Sequence, residues 1–214
     1  LTQVNQAPTA PDFDCERFGT GFLGQPVNTV SSLAFVAAGV AIIARNPRHL
    51  VYGSLVALNG AGSVALHGPY PPWADLAHDL PLVALAAYVA MDAAADLRGA
   101  PLSAAWWVMP VVVAAPVVAV APEWGDLVQA GLAVVAVALS LLRARVRPAL
   151  RRTILTSMAI LGIGALVGTL TRSGAPLCRP DSVFQGHAVW HVLAALALWL
   201  LAPAVGSIGQ PSRS

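Results

Sequence analysis

Two histidines one helical turn apart, His187 and His191, open a hydrophobic stretch late in the chain, and a third, His67, closes an earlier one. A neutral imidazole in hydrocarbon is unfavourable unless it is paired or bound, so ionisable groups in such stretches are candidates for function. The i, i+4 spacing puts His187 and His191 on one helix face about 6 Å apart, as in helical two-histidine zinc motifs. Three imidazoles that reach one point hold zinc with its fourth position open, the arrangement used for catalysis. The pair alone also suits bis-histidine haem ligation or two interfacial histidines, and the third histidine favours zinc.

Ser63 stands one turn before His67. From there its hydroxyl reaches the same cavity and could donate a hydrogen bond to a developing oxyanion. The competing reading is a small residue that eases helix packing or bonds its own backbone. Asp79, next to His78, is a carboxylate placed to act as general base for water; an N-cap or an acceptor orienting a ligand imidazole are its alternatives. Asp12, Asp14 and Glu16 cluster ahead of the first hydrophobic stretch. Calcium takes several such oxygens, although composition alone favours solvated acids. Asp92, Glu123 and Asp126 read as helix-end or loop charges.

These side chains need a scaffold, and the composition says which kind. With 57% of 214 residues hydrophobic and 10% charged, too few polar groups remain to cover a water-soluble globule, so most of the surface faces lipid. The net charge of +2 and the absence of a basic face argue against nucleic acid. Apolar runs of membrane-spanning length fall at 28–45, 49–67, 79–96, 102–121, 125–143, 153–171 and 184–205. Pro, Gly or Arg punctuates each junction. The expectation is an all-α, seven-transmembrane-helix bundle, with a polar segment at 1–27, the membrane domain at 28–205 and a tail at 206–214.

An N-terminus outside puts Arg45, Arg48, Arg98, Arg143, Arg145, Arg147, Arg151, Arg152 and Arg213 inside, and leaves only Arg17, Arg172 and Arg179 outside. Nine against three follows the positive-inside rule, so the expected topology is N-out, C-in. Under that topology His67, Asp79, His187 and His191 all come to the outer leaflet. So do Cys15 and Cys178, the only cysteines. An even pair on the oxidising side suggests one disulfide, with two free thiols as the alternative.

Asp12-Phe-Asp-Cys15-Glu16-Arg-Phe-Gly-Thr-Gly, followed by Gln25-Pro-Val-Asn28-Thr-Val-Ser-Ser-Leu-Ala-Phe35, resembles the opening of alkaline ceramidases, particularly their bacterial relatives. Ser63-x3-His67, an aspartate about a dozen residues on, and Cys178-x-Pro-Asp-Ser-x2-Gln-Gly-His187-x3-His191 complete the pattern in order. The resemblance covers nearly the whole chain. The wider superfamily includes progestin and adiponectin receptor-like proteins, which share the serine, aspartate and three-histidine core.

The resemblance implies zinc on His67, His187 and His191, and water attack on the amide of an N-acyl sphingoid lipid assisted by Ser63 and Asp79. It also implies a calcium site from Asp12, Asp14, Glu16 and Gln25, a Cys15–Cys178 disulfide, a lipid substrate that enters laterally, and residence in a bacterial inner membrane. Two departures stand out. Gln25 occupies a position where the family commonly has Glu, which removes one charge from the calcium set. Alignment on Leu80-Pro81 places His78 at the catalytic aspartate position; the chemistry of a general base favours Asp79. A hydrolase of another acyl lipid and a receptor-like protein with structural zinc are the alternative functions.

Overall fold

In the computed structural model, which describes residues 14–206 and of Pro122 and Glu123 only the backbone, the chain folds into seven α-helices. They are α1 (Pro26–Arg45), α2 (Leu50–His67), α3 (Ala74–Arg98), α4 (Ala104–Val120), α5 (Pro122–Val146), α6 (Pro148–Leu170) and α7 (Gly186–Leu201). There is no strand among the described residues. Six of the helices are long and apolar enough to cross a membrane, as a multi-pass membrane protein requires, and α4, with 17 residues, is shorter. Leaving large apolar residues such as Val113 and Val120 exposed, at 64% and 82%, is tolerable only against hydrocarbon.

Helices α1, α2, α3, α5, α6 and α7 pack in that order into a closed ring, and α4 lies outside it against α3 and α5. Small residues let the backbones approach where lipid provides no hydrophobic drive for association. A Cβ added at Gly39 of α1 would stand 2.6 Å from the Ala57 nitrogen of α2, and one at Gly60 of α2 would stand 2.8 Å from the Phe35 Cβ of α1. Gly164 and Gly168 of α6 similarly receive the Trp190 ring of α7.

A close approach joins α2 to α3. Pro81 lies inside α3, has no N–H, and therefore leaves the Ala77 carbonyl without its helical donor. Gly62 of α2 packs directly on that carbonyl and on the His78 backbone, where any side chain would overlap. This contact brings the first turns of α3 beside the turn of α2 that carries Ser63 and His67.

Two boundaries differ from the sequence expectation. Helix α3 begins at Ala74, not 79, so Asp79 sits in its second turn and does not cap it. The arginine-rich stretch expected as a loop from Arg143 to Arg152 is almost entirely helical, with only Arg147 between α5 and α6. The cause is pairing. Asp92, read above as a helix-end or loop charge, is instead 1% exposed in the middle of a network. Arg143 Nη1 donates to it at 2.9 Å, Arg143 Nε donates to Asp96 at 2.7 Å, and Arg147 Nε reaches Asp96 at 3.3 Å. With their charges compensated, these residues extend α3 and α5 instead of ending them. The Gly206 N–H donates to the second oxygen of Asp92 at 3.0 Å, which fastens the chain after α7 to the same network.

Candidate metal centre

The histidines come from two helix ends at one end of the bundle, the last residue of α2 and the first two turns of α7, with the first turns of α1 beside them. One ligand atom from each of His67, His187 and His191 lies within 4.8 Å of the others. Ring centroids are 5.0 Å apart for His67–His187, 5.2 Å for His67–His191 and 4.4 Å for His187–His191.

Hydrogen-bond partners settle which nitrogen each ring offers, because a neutral imidazole has one donor and one acceptor. His67 Nδ1 is 2.6 Å from Gln25 Oε1. The Gln25 Nε2 donates to the Glu16 carbonyl at 2.6 Å, so the amide oxygen is the end that faces His67 and the imidazole is the donor. His187 Nδ1 lies 2.8 Å from Asp14 Oδ1, an acceptor. His191 Nδ1 lies 2.9 Å from Ser31 Oγ, whose own hydrogen goes to the Asn28 carbonyl. All three rings therefore keep their proton on Nδ1 and turn an Nε2 lone pair inward.

His67 Nε2 is buried and has no hydrogen-bond partner, on a residue only 2% exposed. An unpaired buried acceptor is expensive, and a metal ion would satisfy it. Three imidazole nitrogens, each held by an acceptor on the far side of its ring, suit zinc with a fourth position left over. The residues present thus fit a metal.

Ser63 is at the same place. Its Oγ is 3.3 Å from His191 Nε2 and 2.8 Å from Ser32 Oγ. Because Ser32 donates to the Asn28 carbonyl at 2.7 Å, the hydrogen shared between the two serines comes from Ser63. The structure therefore brings Ser63, His67, His187 and His191 together.

Asp79 is engaged differently. Its Oδ1 accepts from His78 Nδ1 at 2.7 Å, and both side chains are partly buried. His78 and Asp79 thus form a hydrogen-bonded pair in the second turn of α3.

The acids expected to bind calcium have other partners here. Both Glu16 oxygens accept backbone N–H groups, Val27 and Asn28 at 2.8 Å each, and so cap α1 from outside the helix. Asp14 and Gln25 hold His187 and His67. Asp12 lies outside the described residues. Asp14, Glu16 and Gln25 thus each have partners within the protein. Burial works against ionisation of Asp14, but the His187 hydrogen bond and the neighbouring His67 and His78 outweigh it and keep its carboxyl below the usual range.

A strap from Asp14 to Gln25 carries these groups over the site. Cys15 is disulfide-bonded to Cys178, with the Cα atoms 5.4 Å apart. Arg17 pairs with Asp181 at 3.0 Å, and Ser173 Oγ donates to the Asp14 carbonyl at 3.1 Å. Gln25 N–H donates to the His67 carbonyl at 2.7 Å. Gln185, 3% exposed, clips the loop after Cys178 by donating to the Ser182 carbonyl at 2.6 Å. Sequence reasoning did not single out Asn28, Ser31 or Ser32. Their signal was a polar i, i+3, i+4 triplet in the first turns of an otherwise apolar helix.

No protein-family model matches the chain, and no curated protein matches it.

Proposed function

We propose that this chain is an intramembrane zinc-dependent amidohydrolase that splits the N-acyl bond of ceramide or a related sphingoid lipid into fatty acid and free amine. The observation that carries the reading is the inward Nε2 of His67, buried and unpaired, beside the matching nitrogens of His187 and His191. It is supported by the alkaline ceramidase pattern, which runs through the same residues. When bound, the metal supplies Lewis-acid chemistry, acidifying water and polarising the carbonyl.

The chain's own groups do the rest. Gln25, Asp14 and Ser31 hold the three rings in one tautomer. Ser63 can turn its hydroxyl from Ser32 toward an oxygen bound beside the imidazoles and stabilise negative charge as the carbonyl carbon becomes tetrahedral. Asp79 is the general base, and its hydrogen bond from His78 Nδ1 holds the carboxylate in place. Asp79 takes the proton from the attacking water and returns it to the departing nitrogen, whose bond to the acyl carbon breaks. The substrate enters laterally from the leaflet at the histidine end, which the arginine distribution favours as the outer one.

Metal content and ceramide hydrolysis measured together on detergent-purified wild type and His187→Ala test the proposal. About one zinc per chain, lost in the variant together with fatty-acid release, is the expected result. Zinc without hydrolysis of any acyl lipid would favour a receptor-like role for the site, and a wild type without zinc refutes the mechanism.

A further inference from the structure

The end of the bundle opposite the histidines holds a second polar site that the proposed hydrolysis does not use. Where α1 ends and the turn Pro47–His49 leads into α2, a cavity of about 280 Å³ opens against the last turn of α7. Its lining includes polar Arg45, Asn46 and His49 and apolar Ile42, Trp199 and Pro203.

The polar part of the lining is rich in donors. The Arg45 guanidinium carbon stands 5.0 Å over the Trp199 ring, a cation–π contact that fixes the charge at the cavity. No carboxylate lines the space, and among the described residues Arg45 makes no ion pair. Asn46 Oδ1 is already used, accepting the Arg48 N–H at 3.1 Å, so the amide has its Nδ2 hydrogens to offer. His49 is partly buried and adds a further ring nitrogen. A cation, a rigid amide donor and an imidazole around one cavity suit a ligand of acceptor oxygens and negative charge. The apolar Ile42, Trp199 and Pro203 in the same lining suit a ligand with an apolar continuation.

The place agrees with that chemistry. Arg45 is the last residue of a membrane-length helix, and Trp199 lies in the last turn of another. Tryptophan and arginine at that level mark the membrane–water boundary, where juxtamembrane basic residues attract anionic lipid. The geometry points to a binding site for the phosphate headgroup of an anionic phospholipid at Arg45, Asn46 and His49, with the glycerol and upper chains against Trp199 and Pro203. The ligand belongs to the leaflet opposite the metal centre, so the site stands independently of the proposed hydrolysis.

Arg98 provides a matched control. It is at the same end and also stacks on a tryptophan, Trp106, at 5.0 Å, but it does not line this cavity. The test is thermal unfolding of the full chain in neutral detergent, titrated with short-chain phosphatidylglycerol, phosphatidylcholine or soluble glycerol phosphate. Phosphatidylglycerol should raise the melting temperature saturably and phosphatidylcholine should not. Arg45→Gln should weaken the apparent affinity about fivefold, while Arg98→Gln leaves it unchanged. If Arg45→Gln does not fold, Arg45→Lys replaces it, keeping the charge but losing the planar stack, and should still bind more weakly than wild type. Equal losses in the Arg45 and Arg98 variants would mean diffuse surface charge and overturn the site. Equal response to the two lipids would overturn it as well. Glycerol phosphate matching the lipid would overturn the lipid assignment.

Discussion

An imidazole serves a metal well only when something on its far side holds the other nitrogen, and here each of three histidines has a different holder: a carboxylate, an amide oxygen and a hydroxyl. Removing such partners typically lowers metal affinity 10- to 100-fold. Gln25→Leu and Asp14→Asn should therefore each weaken zinc binding by about that factor with the fold intact, measured by competition with a chromogenic chelator. Asp79→Asn should keep zinc and lose turnover, because it touches His78 and none of the three ligand rings; near-normal rates would remove Asp79 from the proposed chemistry. The three histidines and Ser63 were legible in the sequence because residue type and helical spacing carry that information. Their holders were not. Gln25 is 42 residues from His67, and nothing in either local pattern announces the pairing. The acids at Asp14 and Glu16 drew attention as a cluster, but clustering says nothing of whether a carboxylate meets a cation, an imidazole or a helix N-terminus.

At the scale of elements, the site depends on how tightly α3 is drawn to α2. Gly62 meets the carbonyl that Pro81 releases, so a side chain there has backbone to displace. Gly62→Leu should destabilise the protein by about 1–3 kcal/mol, the usual range for overpacking, and should lower metal occupancy too, since Ser63 and His67 ride on the same turns. On the far side of the bundle, Arg143→Ala would leave Asp92 and Asp96 buried without their shared cation. Breaking a buried pair from one side costs about 3–5 kcal/mol, and a melting curve in detergent would register the loss. The hydrophobic runs located the helices well, because hydropathy follows length and composition. Their ends were harder to read. A charge in an apolar stretch looks like a boundary unless its partner is known, and the partners of Arg143 lie 47 and 51 residues away on another helix.

At the scale of the whole molecule, a metal on the three histidines and the Cys15–Cys178 disulfide would tie together the same end of the bundle. A ligand that binds only the folded state adds stability in proportion to its concentration over its dissociation constant, about 2.7 kcal/mol at a hundredfold excess. Chelation should therefore lower the melting temperature of the wild type and leave that of His187→Ala unchanged. Reduction of Cys15–Cys178 should lower it separately, by the equivalent of about 2–4 kcal/mol. Membrane residence could be read from composition alone, because no arrangement of these residues covers an exterior with polar groups. The closed ring with α4 outside it could not, since apolar composition does not say which helices are neighbours.

The strap over the histidines has a consequence for how the molecule comes into being. Its cysteine is joined to one 163 positions later, and the carboxylate beside it grips a ring on the final helix. A ribosome releases the first of these groups long before the second exists. The pocket consequently has no partial form: chains halted before Gly186 have two of their three metal-binding rings still unmade, and the early segment waits with nothing to close upon. Metal uptake by nascent chains should begin only after the last helix has emerged, so a series of stalled translation products would show zinc retention switching on in one step.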